Sequence, residues 1–181
     1  MINLQHNTFN TKLILGYVLG FLIFIIIIPS MIYWISHINH IFFRITICNY
    51  PTLRIIIAGI LFTTGLIFTT WSNLDLFRKG KGGPTDVFNV EISPRTKKLV
   101  TNGPYNYSRN PMVFGVNSFY FSIAFFTNSL ASLLFCSIFL TTIILYIKLT
   151  EEKRLLRDFG KDYAKYKKKV SMLIPFPKRK F

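Results

Sequence analysis

Apolar residues run through this chain in long blocks, and short polar stretches punctuate them. Leu13 to Ile35 is almost wholly apolar. At a rise of about 1.5 Å per residue, a helix of that length crosses a hydrocarbon core about 30 Å thick, so a first membrane span is predicted. The block is too long for the apolar core of a cleaved leader. Only Lys12 stands before it as a cation and no small-x-small site follows, so a retained helix is expected. Pro29 predicts a kink near its end. Residues 1–11 are polar and expected to fray, and residues 36–53 predict a loop or short interfacial segment. Arg54 to Phe77 predicts a second span, in which Thr63, Thr64, Thr69 and Thr70 can bond back to helix carbonyls. Gly59 and Gly65 come close to a small-residue packing stripe. Asn73 and Asp75 fall in its last turn, at a depth where polar groups are interfacial or functional.

A third block, Met112 to Ile147, carries no charge, and Thr127-Asn128-Ser129 breaks it. Two helices in a tight hairpin are predicted, over 112–126 and 130–149, with a single long tilted helix as the alternative. The first is short for a full span and calls for tilt, a partner or local thinning of the bilayer. From Glu151 the pattern changes. Leu155, Phe159, Tyr163, Tyr166 and Val170 recur at spacings of three and four among lysines and arginines, which predicts an amphipathic helix at the interface. Pro175 and Pro177 end it. The fold class is therefore an all-α integral membrane protein: a bundle of about four transmembrane helices with a cytoplasmic C-terminal amphipathic helix. It divides into an N-terminal helix pair, 1–77, and a core, 78–181, within one membrane domain.

Charge refines this picture. The chain has 181 residues, 51% hydrophobic, with net charge +15. Nineteen of its 22 lysines and arginines lie from Arg78 onward. They flank apolar blocks and are not interleaved with a stacking platform, so no nucleic-acid partner is expected; the bilayer is the partner. Basic flanks mark the cytoplasmic side. The expectation is a multi-pass protein of the plasma (inner) membrane, with the 78–111 loop and the C-terminus inside and the 127–129 turn outside; Arg44 and Arg54 run against that bias. Cys48 and Cys136 make neither a disulfide framework nor a zinc pattern. His37 and His40 would share a helix face, but no third ligand is evident and no metal is expected.

The segment between the second and third blocks is polar and rich in turns. It reads Leu99-Val100-Thr101-Asn102-Gly103-Pro104-Tyr105-Asn106-Tyr107-Ser108-Arg109-Asn110-Pro111-Met112-Val113-Phe114-Gly115. Farther on, Glu151-Glu152 opens a stretch that continues through Phe159-Gly160 to Tyr163 and Tyr166, followed by Ile174-Pro175. In order and spacing these two motifs resemble those of the isoprenylcysteine carboxyl methyltransferase family, which is similar to the phospholipid N-methyltransferases. The resemblance covers roughly 78–176. It implies a membrane methyltransferase that uses S-adenosyl-L-methionine and methylates an amphiphilic acceptor: a prenylcysteine-like carboxylate, a lipid amine or a small hydrophobic molecule.

What the resemblance implies for individual residues follows the chemistry of that donor. Its α-ammonium needs a carboxylate, and the family's paired acids are Glu151 and Glu152. A helix N-terminus would also favour two carboxylates there. Adjacent helical residues point about 100° apart, so only one is expected to face the site. Arg109 suits the donor carboxylate as a fork, and an interfacial arginine would equally serve phosphate headgroups. Tyr105, the motif tyrosine, is expected to wall the adenosine or face the sulfonium, with Tyr107 as a second aromatic. Leu99, Val100, Asn110 and Pro111 complete the expected cofactor-binding set, and residues 80–84 are expected to line it. Arg109, Asn110 and Lys148 are the catalytic candidates; Lys148 matches only loosely the basic residue that meets a substrate carboxylate. Asn110 stands where the prenylcysteine enzymes have histidine, so it cannot titrate near neutral pH and is not a general base. Val113 stands where they have tyrosine. The alternative is a non-catalytic membrane protein that keeps the fold for lipid binding or assembly.

Overall fold

The computed structural model describes residues 14–176, apart from 81–85, 88–89 and 92–97. Helix α1, Ile14–Phe43, runs eight residues beyond the predicted end of the first span. The segment expected as a loop from residue 36 is thus helical as far as Phe43, because no proline or glycine interrupts it. Pro29 is accommodated by a widened turn, Leu22–Ile27, rather than a break. In that wider register a residue bonds back five positions, as Ile28 does to the Ile23 carbonyl. Proline has no N–H to offer the Phe24 carbonyl, and the Tyr120 hydroxyl donates to it instead, at 2.9 Å.

Helix α2, Pro51–Gly80, starts on a proline, whose missing N–H costs nothing in a first turn. A minimal hairpin follows, β1 (Asp86–Val87) with β2 (Val90–Glu91). Helix α3, Pro111–Phe126, and helix α4, Leu130–Tyr146, form the predicted hairpin. Ser129 caps α4, its hydroxyl accepting from the Ser132 N–H at 3.2 Å. The amphipathic helix does not begin anew at Glu151. Helix α4 passes through a widened turn, Ile147–Glu151, directly into α5, Glu152–Lys169, and the helix runs without a break from Leu130 as far as a kink at Gly160.

Three of these helices are long and apolar enough to cross a membrane: Ile14–Phe43, Pro51–Gly80 and Leu130–Lys169. The shorter apolar helix Pro111–Phe126 packs among them. Large apolar side chains such as Ile25, Phe62, Ile67 and Ile138 are exposed on the bundle, as a lipid-facing surface requires. The interior is small and mixed. Ile32, Tyr120, Ala124 and Cys136 are buried together, and the Ser132 hydroxyl donates to the Ile32 carbonyl.

The tightest crossing joins α2 to α3. Gly65 and Gly115 face each other there, and a Cβ on Gly115 would lie 2.5 Å from Thr69 Oγ1 and 2.6 Å from Thr69 N. Phe68 and Phe114 meet edge-on beside it, centroids 5.1 Å apart. Gly59 faces open space and has no part in the crossing. Small residues let backbones approach where lipid removes the hydrophobic drive to pack. Gly115→Ala should therefore destabilise the protein by about 1–3 kcal/mol through overpacking, whereas Gly59→Ala should be neutral or slightly stabilising. Thermal unfolding of both variants in detergent checks the contrast.

One end of the bundle is tied by polar contacts between its two turns. His40 Nε2 meets the Thr127 carbonyl at 2.6 Å, and Asn128 Oδ1 accepts from the Ile47 and Cys48 N–H groups. So His37 and His40 lie on α1 rather than in a loop. Among the described residues no group of three metal-ligating side chains forms.

Candidate functional site

At the other end, where α2 finishes and α3 begins, the polar segment 99–110 folds into a turn. A short 3₁₀ helix spans Gly103–Asn106. Gly103 has φ +64°, and a Cβ there would overlap Asp75 Oδ2 at 1.9 Å. Only glycine fits this left-handed position against the carboxylate. Asp75 is buried and held by Lys79 at 2.7 Å. Its place under the turn gives it an anchoring role.

The C-terminal chain laces this turn together. Tyr166 donates to the Tyr105 carbonyl at 2.6 Å. Beyond α5 the chain pairs with the motif: Arg109 N–H donates to the Ser171 carbonyl at 2.9 Å, and Phe176 N–H to the Tyr107 carbonyl at 3.1 Å. Asn110 Nδ2 donates to the Met172 carbonyl at 2.9 Å. The asparagine that stands in place of histidine thus ties the motif to the C-terminal strap. Leu99 packs against the buried Tyr163, Tyr166 and Val170, and Val100 is half-buried beside it in sequence. Pro111 is buried as the first residue of α3.

The charged centre is Glu152, whose side chain is only 6% exposed. Arg109 Nη1 approaches its Oε1 at 2.5 Å, and Lys167 Nζ its Oε2 at 2.6 Å. Arg109 is 9% exposed, Lys167 41%. The Arg109–Glu152 contact is an ion pair without hydrogen-bonding angles: Arg109 Nε and Nη1 and Glu152 Oε1 are buried and lack hydrogen-bond partners. Glu152 sits inside a continuous helix, so no free N-terminal N–H groups stabilise it, and a macrodipole explanation of the acid pair does not apply. Glu151 is half-buried. Its charge, after desolvation and Asp75, helps push the Tyr105 phenol well above the usual tyrosine range. Tyr105 thus stays neutral beside the acids.

Lys167 is a site residue that sequence reasoning missed. It lies 15 positions after Glu152, about 22 Å along a straight helix. Gly160, with φ 51° and ψ −124°, breaks α5 and returns the second half to the site. The signal was the glycine, which in a helical pattern marks a stop or a bend. Lys148, one turn before Glu152, is exposed. Of the loop expected to line the site, Gly80 is buried and residues 81–84 lie outside the described residues. An open cleft of about 580 Å³ is lined by Arg109, Lys167 to Met172, and Phe176.

These features define an all-α membrane protein with a buried carboxylate between two cations at one end of its bundle. Residues 53–162, from the start of α2 to just past the Gly160 bend, match the phospholipid methyltransferase family, and the chain belongs to that family of membrane methyltransferases. No curated protein matches the chain.

Glu152→Ala would leave Arg109 buried without its counter-ion and should cost about 3–5 kcal/mol. Tyr166→Phe removes one hydrogen bond to the turn and should cost about 1 kcal/mol. Unfolding midpoints of the two variants in detergent should fall in that order.

Proposed function

We propose that the chain is an S-adenosyl-L-methionine-dependent methyltransferase acting on an amphiphilic acceptor at the cytoplasmic face of a membrane. The observation that carries this reading is a buried carboxylate and a buried guanidinium in direct contact. Glu152 Oε1 and Arg109 Nη1 meet as an ion pair without hydrogen-bonding angles, and Arg109 Nε has no hydrogen-bond acceptor. Side by side they suit the ammonium and carboxylate of an α-amino acid, the polar end of the proposed cofactor.

In this reading Glu152 holds the α-ammonium and Arg109 the α-carboxylate. Tyr105, Leu99 and Val100 supply the aromatic and apolar wall. When bound, the cofactor supplies an electrophilic methyl group on a sulfonium. The protein's work is alignment, which can contribute several kcal/mol without a covalent intermediate. Asn110, committed to Met172, accepts no proton. In this reading the acceptor arrives as a ready nucleophile: a carboxylate, a thiolate or an amine already deprotonated. Lys148, exposed one helical turn before Glu152, would in this reading meet an anionic group of that acceptor. The basic residues gathered at this end of the bundle favour a cytoplasmic orientation.

Titration calorimetry of the detergent-purified protein with S-adenosyl-L-methionine tests this. Saturable binding is expected for the wild type and should be lost in Glu152→Gln and Arg109→Lys variants that still melt cooperatively. A folded wild type that binds no cofactor would overturn the reading and leave a non-catalytic membrane protein.

A further inference from the structure

Glu152 meets two cations, and they differ in kind. Arg109 is enclosed, fixed by its backbone bond to Ser171, and rises from the rigid turn before α3. Lys167 is the more exposed partner, at 41%, and comes from the half-helix beyond the Gly160 break. A Cβ at Gly160 would meet no atom within 4 Å, so the bend itself borders open space. Lys167 also lines the open cleft together with Arg109. Its ammonium therefore occupies the solvent-facing side of the Glu152 carboxylate, between the cleft and the acid.

We infer that Lys167 is an internal competitor for the cofactor's α-ammonium: it holds Glu152 closed until that ammonium replaces it. This rests on the proposed role of Glu152. The two groups are chemically alike, each a primary ammonium with three donors. A buried carboxylate left without its cation is costly, so Lys167 keeps the acid compensated while the site is empty. Being long, flexible and part-exposed, it loses little on release to water. Binding then carries the cost of opening the Lys167 contact, and apparent affinity falls by the fraction of molecules that are open. Lys168 and Lys169 share the cleft but have no contact with Glu152 among the described ion pairs, so the effect belongs to one lysine and not to the basic cluster.

The test is equilibrium binding, by calorimetry, of two nucleosides to wild type, Lys167→Met, Lys167→Arg and Lys168→Met. S-adenosylhomocysteine carries the amino-acid end and no sulfonium, and methylthioadenosine lacks the amino-acid end. Lys167→Met should bind S-adenosylhomocysteine roughly three- to tenfold more tightly, the range a part-exposed ion pair supports. Lys167→Arg should stay near wild type, since it keeps a cation on Glu152. Lys168→Met removes the same charge from the cleft and should change nothing, and methylthioadenosine should bind all four proteins alike. Equal or weaker S-adenosylhomocysteine binding by Lys167→Met, or equal tightening by Lys168→Met, overturns the competition while leaving the cofactor reading intact. Failure of every folded protein to bind S-adenosylhomocysteine overturns both.

Discussion

The buried carboxylate of Glu152 is the constraint on which this end of the molecule depends. A carboxylate at 6% exposure is tolerable only if cations come to it. Arg109 comes from the turn before α3, and Lys167 from the returning half of α5. Three segments distant in sequence are thus drawn to one point. The hydrogen bonds from Tyr166, Asn110 and Phe176 then lace the same segments together along their backbones. An apolar substitute for such a cluster would serve stability at least as well. Its retention agrees with a use for the buried carboxylate and guanidinium.

That cluster needs a rigid support, and the membrane supplies the reason for its form. Lipid is as apolar as the side chains, so helices gain little by hiding leucine from it. Close backbone approach and polar satisfaction do the packing. Gly65 and Gly115 let α2 and α3 touch, which fixes Asp75 at the end of α2 against Gly103 in the turn. Tyr120 closes the carbonyl that Pro29 leaves open. That hydrogen bond satisfies a backbone group that lipid could not.

Several elements were legible in the residue pattern. The α3–α4 hairpin falls within a few residues of the predicted bounds because Thr127-Asn128-Ser129 interrupts an otherwise uncharged block. The first span ends later than predicted: residues 36–53 predict a loop or short interfacial segment, but nothing between Ile35 and Phe43 breaks a helix. Glu151 was read as opening a helix because hydrophobicity drops there. The backbone registers no such boundary, since Lys148, Leu149 and Thr150 continue a helix without strain. Of the site, Arg109, Tyr105, Glu152, Leu99 and the 99–111 segment were legible as motifs. The part played by Lys167, Asp75 and the 170–176 strap was not, because each depends on a bend or a crossing.

The sequence by itself determined that the chain is a helical membrane protein, because apolar run length and the absence of charge decide that without reference to neighbours. Through the resemblance of its motifs it also named the acids, arginine and tyrosine expected at one site. Tertiary structure alone decided how those groups meet. A left-handed glycine at 160 turns a lysine back onto an acid 15 positions away, and burial of that acid turns three separate charges into one site. Distances across space follow from backbone angles and packing, and these leave no periodic trace in the order of residues.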